Sequence, residues 1–346
     1  RAKHVYLIYN TEPDVLEGGE PSRLIRQLLT DENVPFDFKE IIASPAIRPV
    51  QKSLKSIEKD EDLMSLIRRH AAKGFSPTSL SNYIRNPINF YKRNLLKIDD
   101  VLEVEETIAA NTFGTIVHDT LEDLYRPLIG EFLTEENLRE AKSKISVFVK
   151  RHFLKTFSGG DISRGKNLIA YKVVVRYIEN FIALEIEEVK QHQIKIIGLE
   201  ENLNIQLDVP ETDFPVVLKG KLDRIDEFDG TLRIIDYKTG NVQQRNVDIV
   251  EWNNISSEYE YSKAFQLLCY VLLYNERHPV KSIEAGIFSF KNQNSGVLKF
   301  GVKEKKGSRK KDTVITQETL AQFSLELKKL ILEICNPALP FIEKET

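Results

Sequence analysis

The sequence predicts a mixed α/β fold, with a central mixed β-sheet flanked by helices and a helical N-terminal part. Three features point to it. Apolar residues recur at helical spacing over Phe113–Leu128, Thr134–Phe157 and Leu168–Gln191. The period then changes to alternation over Ile194–Leu207, Val216–Asp226 and Leu232–Tyr237, which are rich in Val, Ile and Leu. A helix at Tyr261–Asn275, strands near Ser282–Lys291 and Val297–Val302, and a helix at Gln317–Ile334 follow. Strands interrupted by a helix of this length imply a sheet of mixed direction.

Taken from the start, His4–Tyr9 reads as a strand, followed by a Pro/Gly/Glu loop to Pro21. A helix is expected from Ser22, which can cap it, to about Leu29, with Asp31, Asn33 and Pro35 as stop signals. Ser44–Asp62 carries prolines and mixed charge with weak periodicity, and reads as a linker or strap. The main body opens at Phe75-Ser76-Pro77-Thr78, where serine followed by proline forms an N-cap and first turn. That helix is expected to break at Asn86-Pro87 and to resume through Asn89–Leu96. The expected division is therefore 1–74, a fragmentary first unit plus linker, and 75–346, the main domain.

Composition bounds the function. The 346 residues are 41% apolar and 29% charged, enough for a large core. No apolar run approaches the roughly eighteen residues of a membrane-spanning helix, and Val5–Tyr9 is too short for a signal-peptide core. Two cysteines, Cys269 and Cys335, exclude a disulfide scaffold, a four-cysteine zinc site and an all-cysteine iron–sulfur cluster within this chain. A reduced, cytoplasmic protein with no membrane partner is the expectation. The net charge of −3 argues, taken alone, against a polyanionic partner.

The most informative segment is Gly220-Lys221-Leu222-Asp223-Arg224-Ile225-Asp226, a turn at Asp229-Gly230, then Ile234-Ile235-Asp236-Tyr237-Lys238-Thr239-Gly240. Asp-Gly between alternating runs signals a tight hairpin, because both residues tolerate positive φ. Centred there, the hairpin sets Ile225 opposite Ile234, Asp223 opposite Asp236, and Lys221 opposite Lys238. Opposed side chains share a face, and two opposed carboxylates repel unless a cation lies between them. A hard divalent ion such as Mg²⁺ or Mn²⁺ suits that position. Lys238 points to the same side as Asp236 and can hold or deprotonate a water. Such a carboxylate–metal–lysine set suits phosphodiester hydrolysis. A surface hairpin whose acids and lysines pair in solvent is the alternative, and Asp226 is an alternative ligand.

"GKLDRID" with "IIDYKTG" resembles the core of the PD-(D/E)XK nuclease superfamily, in its RecB/AddB-like branch. "SPTSLSNYIRNPINFYKR" resembles that family's opening helix, "FGTIVHDTLEDLY" its histidine-bearing helix, and "QLLCYVLLY" its Q-x3-Y helix. The resemblance implies a Mg²⁺- or Mn²⁺-dependent DNA nuclease. It implies metal ligation by His118, Asp223, Asp236 and the main-chain carbonyl of Tyr237, with Lys238 serving the water and Gln266 and Tyr270 facing the cleft. A lone histidine on an amphipathic helix is usually a boundary residue; His118 stands out because the hairpin supplies partners. Glu122 shares its face at i+4.

Gly160–Asn167 nearly matches a phosphate-binding loop, but Asn167 lacks the hydroxyl that would meet Mg²⁺, and a helix precedes it where a strand is needed. No ATP site is expected. "RAKHVYLIYN" with "PSRLIRQLL" resembles the end of a motor lobe in helicase-nucleases, so the expected context is a longer protein of DNA repair or recombination, with a helicase portion or partner subunit. Some relatives carry an iron–sulfur cluster with one cysteine where Asn86 stands, so no cluster is expected here. DNA, single-stranded or a duplex end, would meet local positive charge. The candidates are Arg85, Lys92 and Arg93 on the opening helix, and Lys305, Lys306, Arg309 and Lys310 near the end. A catalytically silent nucleic-acid-binding or scaffold domain is the competing reading.

Overall fold

The computed structural model describes residues 4–8, 22–31, 39, 41, 54–98, 109–157, 162–308 and 310–345. The chain forms two compact units, Arg1–Ser53 and Leu54–Thr346. In the first, helix α1 (Arg23–Thr30) is capped by Ser22, whose hydroxyl accepts from the Ile25 amide at 3.4 Å, and stops at Asp31. Residues 4–8 form no strand and are exposed, because nothing pairs with them among the described residues. Tyr9, Asn33 and Pro35 lie outside the described residues.

In the second unit, β1 (Ser56–Ile57) leads into α2 (Glu61–Lys73), capped by Asp60. This helix was not foreseen: only Leu63, Met64, Ile67 and Ala71 are buried, too sparse a stripe to stand out among the charges. Helix α3 (Pro77–Arg85) opens on the expected Ser76 cap with Pro77 in its first turn. Asn86 then caps the short α4 (Pro87–Phe90), which runs on as a π-helical turn, Tyr91–Leu95. Helices α5 (Ala110–Tyr125), α6 (Glu135–Thr156) and α7 (Gly165–Glu188) form a layer of their own. The near-match to a phosphate loop therefore joins two helices, with Gly160 and Asp161 outside the described residues.

The six-stranded sheet is built from β2 (Ile194–Leu207), β3 (Val216–Phe228), β4 (Thr231–Lys238), β6 (Ser282–Ser289), β7 (Val297–Lys299) and β9 (Ile315–Thr316). Between them fall β5 (Asp248–Ile249), paired with β8 (Gly301–Val302), the short α8 (Asn254–Ser257) and the long α9 (Ser262–Arg277). β2, β3 and β4 pair antiparallel in turn, β4 pairs parallel with β6, and β7 and β9 both pair antiparallel with β6. The parallel step needs a crossover, which α9 supplies. The β3–β4 turn has Asp229 at φ 49° and Gly230 at φ 81°, and it pairs Ile225 with Ile234 as expected. Helix α10 (Gln317–Cys335) and β10 (Phe341–Ile342), which pairs with β1, close the fold.

Two cores form, one on each face of the sheet. Ile225, Ile234 and Ile287 pack with α9, α10, α2 and α3, while Ile235, Tyr237 and Phe288 pack with α5, α6 and α7. The second core contains a buried charge network. Arg224 is fully buried and donates to Glu185 Oε1 of α7 at 2.5 Å and to Asp226 Oδ2 at 2.8 Å. Asp226 also accepts from Arg233 at 2.8 Å, and Tyr125 donates its hydroxyl to Glu185. Two guanidinium groups thus balance two carboxylates. Asp226 is engaged wholly in this network, on the face opposite Asp223, so it does not reach the candidate site. Truncating one member of such a buried set leaves an uncompensated charge, a cost of about 3–5 kcal/mol. Arg224→Ala should therefore lower the unfolding free energy measured in urea by an amount in that range, whereas Lys92→Ala, on the exposed side of the π-helical turn, should leave it nearly unchanged.

Candidate metal centre

The site forms where the β3–β4 ladder stops. Pairing runs from Phe228↔Thr231 to Arg224↔Ile235 and goes no further, while β4 continues beside β6 to Lys238↔Ser289. Past that point the Tyr237 amide donates to the Asp223 carboxylate at 2.8 Å instead of to a carbonyl of β3. This side-chain-for-backbone exchange fixes Asp223 and leaves the Tyr237 carbonyl facing α5. There His118 Nε2 lies 3.2 Å from the Tyr237 oxygen, and Nδ1 lies 3.5 Å from both Asp223 Oδ1 and Glu200 Oε1. Donor atoms of His118, Glu200 and Asp223 all fall within 4.8 Å of one another.

Asp236 stands beside this cluster and is held differently. It is 1% exposed; Lys238 Nζ donates to its Oδ1 at 2.8 Å and lies 2.7 Å from Oδ2, which accepts no hydrogen bond in usable geometry. Gln266 Nε2 reaches Asp236 Oδ1 at 3.2 Å and Tyr270 Oη at 2.7 Å. Gly220 lies under α9: a β-carbon there would stand 2.7 Å from Leu273 and 3.0 Å from Tyr270, so a larger residue would have to displace these side chains for α9 to lie this close to β3. The structure thus gathers His118, Asp223, the Tyr237 carbonyl, Asp236, Lys238, Gln266 and Tyr270 at one sheet end.

Other expected residues are placed elsewhere. Lys221 does not oppose Lys238; it pairs with Glu200 Oε2 at 2.5 Å. Glu122 is paired with Arg126. Arg85 sits over the Tyr259 ring, 5.3 Å from its centroid, and Lys92 and Arg93 are exposed. Lys303 and Lys311 grip Asp248 at 2.7 and 3.0 Å, pinning the base of a loop on which Lys305, Lys306 and Lys310 are exposed. Arg309 lies outside the described residues.

Glu200 is the residue that sequence reasoning missed. The pairings Leu199↔Arg224 and Glu201↔Leu222 set it opposite Asp223, with its backbone at φ 50°. Two adjacent glutamates in one strand point to opposite faces, and the register shift between Ile196 and Gly198 decides which one faces the site. The signal available was an acid across β3 from Asp223, but the connection 208–215 does not dictate register as a two-residue turn does.

Charge explains how the cluster holds together. Burial would push the His118 imidazole down, but hydrogen bonding to Asp223 and Glu200, and their charges, hold its pKa up at about 10. The Asp223 carboxyl, despite burial, lies below the usual range because of His118 and then Lys238. Asp236 is raised by burial, with Asp223 adding to it against the pull of Lys238. Lys238 overcomes its burial through Asp236 and Asp223, which push it above the ordinary lysine value. An imidazole, carboxylates and a main-chain carbonyl form a mainly hard donor set that fits Mg²⁺ or Mn²⁺.

A sequence profile of the PD-(D/E)XK nuclease superfamily matches residues 74–346. The chain belongs to this superfamily. Among curated proteins, this PD-(D/E)XK domain is similar to the B subunit of the ATP-dependent helicase/deoxyribonuclease of Carboxydothermus hydrogenoformans, 25% identical over 246 residues, or 64% of this chain and 21% of that protein. It is also similar to uncharacterized proteins of Rickettsia felis, 24% identical over 48% of this chain and 19% of theirs, and of Rickettsia typhi, 23% identical over 66% and 24%. The chain thus spans about a fifth to a quarter of the length of these relatives. No helix among the described residues is long and apolar enough to cross a membrane.

Without a bound ion, His118 should be charged at neutral pH. Its folded pKa of about 10 exceeds the unfolded value of about 6.5, so its contacts stabilise the fold fully below about pH 6.5 and lose that contribution as pH rises toward about 10. Unfolding free energy in chelator should fall across that window, and His118→Ala should flatten the slope. Nitrogen-15 NMR of the imidazole should show the protonated form at pH 7, converting to neutral as Mg²⁺ is added.

Proposed function

We propose that the chain is a Mg²⁺- or Mn²⁺-dependent deoxyribonuclease that hydrolyses phosphodiester bonds, the nuclease module of a DNA repair or recombination helicase-nuclease. The observation that carries this reading is the convergence of His118, Glu200, Asp223, Asp236, Lys238 and Gln266, drawn from α5, β2, β3, β4 and α9, at the point where the β3–β4 ladder ends. The similarity to a helicase/deoxyribonuclease component supports DNA as the substrate. On this reading the unit before residue 54 corresponds to part of a motor lobe, while α2 (Glu61–Lys73), whose Leu63, Met64, Ile67 and Ala71 lie in the main core, belongs with the catalytic domain rather than with a linker.

His118, Asp223, Asp236 and the Tyr237 carbonyl, with Glu200 beside them, would hold the ion. When bound, it supplies Lewis-acid polarisation of the scissile phosphate. To serve as a ligand His118 would have to be neutral, and the buried carboxylates would then balance the charge of the ion in place of the imidazolium. Lys238, kept charged by Asp236 and Asp223, orients the attacking water and meets the charge that develops on the phosphate, a role that does not require it to act as a base. Gln266 fixes the Asp236 carboxylate through its amide.

The test uses end-labelled single- and double-stranded DNA with Mg²⁺ or Mn²⁺. Asp236→Ala and Lys238→Ala should each lower the cleavage rate by about 10²–10⁴-fold with folding preserved. Activity surviving both substitutions would sink the assignment. Binding without cleavage in any metal would favour the scaffold role.

A further inference from the structure

Lysines at the candidate site divide into those already committed and one that is not. Lys221 is held by Glu200 and Lys238 by Asp236. Lys263 lies in the first turn of α9 and shares a helical face with Gln266 and Tyr270, at i, i+3 and i+7. Gln266 touches Asp236, so that face looks onto the β4 end of the site. Lys263 is half-buried, yet it has no hydrogen bond or ion pair of its own among the described residues. Its surroundings disfavour a charge: burial, then the nearby Lys238, push its ammonium below the ordinary lysine value, and Asp236 only partly offsets them. No acidic residue occupies the first turn of α9 to compensate it.

A polyanion approaching this site meets Asp223, Asp236 and Glu200 at close range. Each is at least partly engaged inside the protein, but an accessible cation near the reacting phosphate is still required for the strand to settle. From this elimination, we propose that Lys263 is a substrate-positioning residue that contacts a non-bridging phosphate oxygen of the nucleic-acid strand at the Asp236–Lys238 end of the site. The proposal rests on the nuclease reading for the identity of the strand. Phosphate contact satisfies the ammonium that the folded chain leaves without a counter-charge, so the binding energy comes from a group held part-way desolvated in advance.

The experiment compares wild-type chain with Lys263→Met and Lys263→Arg in two arms. In the first, fluorescence anisotropy follows a labelled single-stranded oligodeoxynucleotide in Ca²⁺ across a salt series. Lys263→Met should weaken binding by about tenfold, and Lys263→Arg by much less. The slope of log affinity against log salt should become shallower by about 0.7, the loss of one phosphate contact. In the second arm, cleavage in Mg²⁺ or Mn²⁺ should show KM raised by about tenfold in Lys263→Met with kcat changed far less. A methylphosphonate placed at successive linkages should reproduce the loss in wild type at one linkage and add nothing to Lys263→Met there. Thermal unfolding without DNA should be unchanged or higher in Lys263→Met, which separates substrate contact from a structural role. Unaltered affinity and salt slope would overturn the proposal even if the wild type cleaves. Absence of cleavage by the wild type in every metal would overturn the nuclease reading, while the anisotropy arm still decides Lys263.

Discussion

Arg224 carries a full charge at the centre of β3 without exposure to solvent, and much of the molecule is arranged to keep it there. Glu185 ties it to α7, Asp226 and Arg233 tie it across the hairpin, and the Tyr237 hydroxyl stands 3.4 Å away. Because strand side chains alternate, an arginine locked into the helical layer forces its neighbour Asp223 to the opposite face. The same holds on β4, where Tyr237 turns inward and Asp236 and Lys238 turn outward. A charge network on the opposite face of the sheet therefore sets the parity of the strands that form the candidate site.

The second organising feature is a defect in the sheet. A complete β3–β4 ladder would consume the Tyr237 amide and leave two aspartates opposed at fixed separation. Instead the ladder stops one pair earlier, the Asp223 carboxylate takes the amide, and Asp236 is drawn toward Lys238 and Gln266. The acids are thereby given separate environments, which drive Asp223 down and Asp236 up. Like charges brought together in a dry site would otherwise raise both. His118 completes the balance as a cation shared between Asp223 and Glu200.

Much of this was legible in the sequence, for reasons that differ by residue. Asp229-Gly230 permits essentially one tight hairpin, so the Ile225–Ile234 pairing followed from turn chemistry alone. The long helices and strands stood out because each buries a continuous stripe. Glu200 was hidden by the irregularity upstream of it, Lys221 by the early end of the ladder that was expected to hold it opposite Lys238, and α2 by its sparse apolar face. Residues 4–8 have strand-like composition but no partner among the described residues, and composition cannot supply one. Lys263 carried no signal, since its significance lies in what it fails to touch.

Glu200 holds a left-handed backbone that costs a side-chain-bearing residue about 1–3 kcal/mol relative to glycine. Its carboxylate faces Asp223 across the strand pair, a second expense that His118 and Lys221 must offset. Any process that rewarded robustness alone, whether drift in a lineage that no longer used the site or laboratory selection for heat tolerance, would be drawn to glycine here. A glutamate kept at this position in other members of the lineage would thus report continued use of the centre, and its replacement would be an early mark of a domain retained only for its shape.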